Sequence, residues 1–147
     1  MLPRLLLICG LACAGLAAAN AQTPSCAKAD FEAVVDSAAA ALRDLNQKNR
    51  PIFQDKLREL KTKRGWSDDQ FMTEAAPLVK DEKTDGLDAQ SGTMLAKITA
   101  MGQAGAEAKT PDCTLMSELN GYMQQLVAAQ TEKWEYLFSK LSAEMAK

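Results

Sequence analysis

An all-α fold, an antiparallel helical bundle of about five helices with one disulfide, is predicted by three features of this 147-residue chain. Beyond the first twenty or so positions the good helix formers Ala, Leu, Lys, Glu, Gln and Met dominate, while β-branched residues are sparse and strand-like alternation is missing. Apolar residues instead recur at three- and four-residue steps, the period of a helix with one buried face. One phrase also occurs twice, Thr23-Pro24-Ser25-Cys26 and Thr110-Pro111-Asp112-Cys113. Each copy reads as a helix start, with Thr as N-cap and Pro at the first helical position, and so puts a cysteine in a first turn.

Residues 1–21 read as a cleaved signal peptide. Arg4 supplies the positive charge, Leu5 to Ala18 is an unbroken apolar run, and Ala19-Asn20-Ala21 is an A-x-A cleavage site. The run is shorter than the roughly 20 residues that a membrane span needs, and nothing later approaches that length. Cys9 and Cys13 fit a lipoprotein signal badly, because Ile8 precedes the first and Gly10 stands three before the second. The expectation is one helical domain over 22–147, periplasmic or secreted, with no transmembrane insertion once the signal is gone.

Within that domain a first helix runs from Pro24 to about Lys48, turning Phe31, Val34, Val35, Ala38, Leu42 and Leu45 inward. Asn49-Arg50-Pro51 breaks it, and Pro51 opens a short second helix to about Lys63 with Ile52, Phe53, Leu57 and Leu60 inward and Gly65 closing it. Ser67 and Gln70 form a capping box for a third helix, with Asp68 and Asp69 at its positive end. This helix carries Phe71, Met72, Ala75, Leu78 and Val79, is bent by Pro77, and ends near Lys83 at the turn Thr84-Asp85-Gly86. A fourth runs from about Leu87 to Gly102 with Leu87, Met94, Leu95, Ile98 and Met101 on one face. The last helix starts at Pro111 and runs without a breaker to the C-terminus, roughly 50 Å at 1.5 Å per residue, so its end projects beyond shorter partners.

Five helices on short turns alternate up and down, which brings the starts of the first and fifth to one end. A Cys26–Cys113 disulfide demands that arrangement, and these are the only cysteines beyond the signal segment.

The formal net charge is −2, one unit more negative without Arg4, too mild to imply nucleic acid as a partner. Histidine is absent, which removes the commonest general base and transition-metal ligand. Asp81-Glu82-Lys83-Thr84-Asp85-Gly86 imitates the start of a calcium loop but fails, with Lys83 at the third ligand position and Gly92 at the twelfth. Met94 and Met101, like Met116 and Met123, are seven apart, the spacing of core packing as well as of a client groove or a Cu(I) site. The expectation is therefore no catalytic residues, no metal, no cofactor and no enzymatic activity.

Charge is segregated. Lys48, Arg50, Lys56, Arg58, Lys61, Lys63 and Arg64 stand against only Asp55 and Glu59, and the block that follows, from Asp68 to Asp88, is acidic. The blocks either complement each other across neighbouring helices or leave a basic patch for an anionic or protein partner, in which Arg58, Lys61, Lys63, Arg64 and Trp66 are the candidate contacts. Trp134, Tyr136 and Phe138 add an apolar stripe on the last helix, buried in the core or, if the end projects, against another copy of the chain. Together these features point to an exported binding or protein-interaction module. An acid-activated periplasmic chaperone and a toxin-neutralising immunity or inhibitor protein are the alternatives; the sequence leaves the ligand and the partner open.

Overall fold

The computed structural model describes residues 25–147; the expected signal segment and the expected Thr23–Pro24 cap lie outside them. Every element among the described residues is helical: α1 (Lys28–Arg64), α2 (Asp68–Val79), α3 (Glu82–Glu107) and α4 (Cys113–Met145). Their count is four rather than five, because the first two expected helices are one.

Pro51 lies inside α1 and does not break it. An internal proline removes one backbone hydrogen bond and costs about 3 kcal/mol. Both halves of α1, however, are seated on α4. Phe31 and Ala38 pack with Leu119, Met123, Leu126 and Ala129, while Phe53, Leu57 and Leu60 pack with Leu137 and Leu141. Burying each large apolar side chain is worth about 1.5–3 kcal/mol, so the seating outweighs the proline. As a result α1 matches α4 in length and the end of α4 does not project: Lys63 donates to the Met145 carbonyl and Arg64 to that of Glu144 at 3.0 Å.

The chain makes three passes. Contacts between α1 and α4 join residues 80–88 apart, from Arg64–Glu144 to Asn46–Trp134, so these two helices run parallel. Along the other side of α4, Lys140 meets Pro77 and Asp81, Lys133 meets Asp88, and Gln130 meets Ser91. Partner numbers fall on α4 as they rise on α2 and α3, so those two helices form one antiparallel track broken at Lys80. An odd number of passes puts Cys26 beside Cys113, and the two are disulfide-bonded with Cα atoms 5.0 Å apart.

The helix starts differ from expectation. Cys26 precedes α1 and holds a left-handed φ of 54°, an uncommon backbone for a residue with a Cβ. Asp30 satisfies this end among the described residues, accepting from the Ala27 amide at 3.1 Å and the Ser25 hydroxyl at 2.6 Å. Asp112, not Thr110, caps α4, accepting from the Leu115 amide at 2.9 Å. The capping box at Ser67 and Gln70 forms as read, at 3.2 and 3.0 Å. Thr84-Asp85-Gly86 is no turn but the first turn of α3. Asp81 accepts from the Thr84 amide at 2.9 Å, and the Thr84 hydroxyl accepts from the Asp81 amide at 2.8 Å. That reciprocal box starts a helix where composition alone signals a loop. Gly102 and Gly105 also lie within α3; a Cβ at Gly105 would stand 2.6 Å from the Phe31 ring, so close α1–α3 packing requires the glycine.

Ile52, read as inward, is exposed, as are Met72 and Val79 of the expected third helix and Leu95, read as part of the apolar face of the fourth. Each neighbours a buried or half-buried apolar residue (Phe53, Phe71, Leu78, Met94). Adjacent helical residues point about 100° apart, and the narrow stripe of a three-pass bundle accommodates one of each pair.

Candidate functional site

The basic block lies at the end of the bundle away from the disulfide. Arg58 pairs with Asp55 one turn back, and Lys61 with Asp68 at the start of α2 while standing 5.5 Å from the Phe71 ring centre. Lys63 and Arg64 cap the end of α4, Arg64 also lying 3.5 Å from a Glu144 carboxylate oxygen. Trp66 is half-buried against the cluster of Phe53, Leu60, Leu78 and Leu141. Each expected contact residue thus has an intramolecular role. The two charge blocks meet only through Lys61–Asp68 among the described ion pairs; α4 answers the acidic block through Lys133–Asp88 and Lys140–Asp81, while the block's own Lys83 pairs with Glu132 of α4.

The densest polar cluster sits at the α2–α3 break. Asp81 caps α3 and also accepts from the Tyr136 hydroxyl at 2.7 Å and the Lys140 ammonium at 2.5 Å; Lys140 donates to the Pro77 carbonyl as well. Lys83 and Lys140 stand 4.6 and 5.3 Å from the Tyr136 ring centre. The Lys140 hydrogen bond first, then those from Thr84 and Tyr136, hold the Asp81 carboxyl far below the usual carboxylate range, and the same contact raises the Tyr136 hydroxyl. The cluster joins α2, α3 and α4. Its residues are the first turns of a helix, not the calcium loop their spacing imitates.

Asp81→Asn keeps the shape and capping capacity of the side chain but removes the charge. A carboxyl whose folded pKa lies below its unfolded one stabilises fully above the unfolded value near pH 4, and that contribution is lost as pH falls through the folded value. Asp81→Asn should therefore lower Tm at pH 7. The gap should close progressively below pH 4 in calorimetric scans. A gap that widened in acid would contradict the assignment.

A broad concavity among the described residues lies between α1 and α4. Ala33, Val34, Ser37, Ala38 and Ala41 form one wall and Asn120, Met123, Gln124, Val127 and Ala128 the other, around a groove of about 570 Å³. Ala38 and Met123 are buried in its floor, Val34 and Val127 are half-buried, and the other lining residues are exposed. It is open because α3 covers only one side of the α1–α4 pair. No charged residue occurs from Ser37 to Leu42 or from Leu119 to Thr131. Exposed helix surface is ordinarily rich in charge, and loss of charge over a contiguous face is a mark of interface cores. A second groove of about 430 Å³, between α1 and α3, is rimmed by Lys28, Glu32 and Asp36.

The remaining candidates are structural. Met94 and Met123 are buried in the core, with Met101 and Met116 packed against it. Trp134 and Phe138 form an edge-on aromatic group with Phe53, at 5.9 and 5.6 Å between ring centres, and Trp134 donates to Asn46. No three His, Cys, Asp or Glu side chains among the described residues are placed to hold a metal ion, and no described helix is long and apolar enough to cross a membrane. The disulfide points to a compartment outside the reducing cytosol. Comparison with protein families, curated proteins and solved structures finds no match.

Proposed function

We propose that this protein is an exported, non-catalytic binding module whose recognition site is the α1–α4 groove, and that the groove takes one helix of a protein partner. The observation that carries the reading is the uncharged, open seam along two parallel helices, the place a further helix of a bundle would occupy. Helix-in-groove recognition uses apolar anchors spaced at i, i+3/i+4 and i+7. The floor of Ala38, Met123, Val34 and Val127 offers room for such anchors, and Ser37, Asn120 and Gln124 supply polar groups at the rim. The internal engagement of Lys61, Lys63 and Arg64 favours the groove over the basic tip.

Photo-cross-linking tests this. A cross-linking residue at Gln124 should capture a protein partner, Ser37→Trp, which fills the groove, should cut the yield at least tenfold, and the same probe at Leu95 on α3 should give none. Equal labelling from the two sites, or indifference to Ser37→Trp, would refute the reading. Toxin neutralisation would be one form of it, with a toxin helix as occupant.

A second reading, an acid-activated chaperone, draws on four carboxylates at helix ends. Asp30, Asp68, Asp81 and Glu144 are each held below the usual range, chiefly by hydrogen bonds from Ser25, Lys61, Lys140 and Lys147. Strong acid would remove ties at all four helices together. Client protection at pH 2–3 but not at pH 7 would mark that activity.

A further inference from the structure

We infer that the occupant of the α1–α4 groove is helix α2 of a second copy of this chain. The inference rests on reading the groove as a helix-recognition site and names what fills it.

The protein carries both halves of such a contact. Among the described residues the large apolar side chains that stand exposed are Ile52, Met72, Val79 and Leu95, and Met72, at 73 % exposure, is the most exposed of them. Met72 and Val79 are seven residues apart on α2, with the exposed Ala76 between them, so the three form one stripe. That stripe lies on the flank of α2, beside the core-facing Ala75 and Leu78; its Val79 end borders Phe53, Trp134 and Leu137, and its Met72 end stands clear of the chain's own core. The apolar arc of this 12-residue helix is thus wider than the part its own chain covers, and Met72 and Ala76 are left exposed.

The groove complements it. Met72 to Val79 covers about 10 Å of helix, and the stretch from Ala33 to Ala41 about 12 Å. Small side chains line the groove where the stripe offers bulky ones, and a neutral wall receives an apolar stripe without stranding a charge. One chain cannot make this contact with itself. Its α2 lies on Leu57, Leu60, Leu137 and Leu141, at the far end of the bundle from Cys26 and Cys113, whereas the groove lies in the disulfide half.

Donor and acceptor surfaces differ, so the contact is heterologous, and the site on one copy stays free unless the assembly closes. A single short helix in a groove is a small interface, so association is expected at about 10–100 µM.

Sedimentation velocity of the oxidised chain 22–147 from 5 to 500 µM tests it. The weight-average mass should rise with concentration. Met72→Glu, which spoils the inserted helix, and Ser37→Trp, which blocks the groove, should each weaken association at least tenfold. Mixed one to one, they should restore a dimer and nothing larger, because one intact helix and one intact groove remain. Ala76→Glu and Ala41→Trp give the same pairing if either first variant alters the circular dichroism spectrum. A mass flat to 500 µM, or a mixture that stays monomeric, overturns the inference. Cross-links from Gln124 to a different protein, with the chain monomeric, would overturn it while leaving the groove's proposed function standing.

Discussion

Replacing Cys26 with Ala and Cys113 with Ser is expected to lower stability by about 4–5 kcal/mol, the larger of the two greatest effects this structure implies. The bonded residues are 87 apart, so the bridge closes a loop that includes α1, α2 and α3. Much of its effect lies in the unfolded chain, whose freedom it restricts. The folded state adds a second term. Cys26 sits at a φ of 54°, and without the bond the Ser25–Cys26 segment has less to hold it there. Thermal unfolding of the double variant should fall by about 10–20 °C, and mild reduction of the native protein should give the same shift. Equal midpoints with and without reductant would show that the bridge contributes little to stability.

Leu60→Ala is expected to cost about 3–4 kcal/mol. The Leu60 side chain is wholly enclosed, packed in the cluster that holds Phe53, Leu57, Ala75, Leu78, Leu137 and Leu141. Three helices meet around it. Collapse into the vacated space would have to draw α2 inward against its fixed ends at Lys61–Asp68 and Lys140–Pro77. The cavity term therefore stays near the upper part of the usual range. Ile52→Ala, eight residues earlier on the same helix but 45 % exposed, is the matched control and should cost less than about 1 kcal/mol. Urea denaturation of both variants measures the difference. Similar losses at the two positions would mean that the interior at Leu60 relaxes freely.

Much of this architecture is legible in the amino-acid order, because it follows from local chemistry. Helix formers and a three-to-four spacing give helices. Ser67 and Gln70 give a start, Gly65 gives an end at a φ of 65°, and a lone pair of cysteines gives the bridge. One error arises where distant packing overrules a local signal, the other where one local signal overrules another. Pro51 reads as a breaker, and is one in isolation, yet α4 offers a continuous bed on which both halves of α1 lie. Thr84-Asp85-Gly86 reads as a turn, yet Asp81 and Thr84 cap each other three residues apart. The expected strict alternation fails, since neither Pro51 nor the Lys80 break reverses the chain; two missing reversals cancel, and only the outcome, first and last helices parallel with their cysteines at one end, is kept. The groove was missed for another reason. Alanine and glutamine register as helix formers and say nothing about which face they occupy; the usable clue was the charge-free run from Leu119 to Thr131, visible without coordinates. The basic block gave the opposite lesson, because clustered charge looked available and its members at the tip are engaged within the fold.

The covalent bond between Cys26 and Cys113 makes the first three helices a closed ring, from which α4 hangs as a tail. A protease that nicks one peptide bond at the tip 65–67, at the Lys80 break or in the segment 108–112 opens the ring without releasing a fragment. Both pieces stay tethered, α4 still lying between its neighbours with Lys63 and Arg64 clasping its end. A cut at the tips joining the helices thus leaves one covalent molecule, whereas a cut within α4 frees its C-terminal piece from the covalent ring.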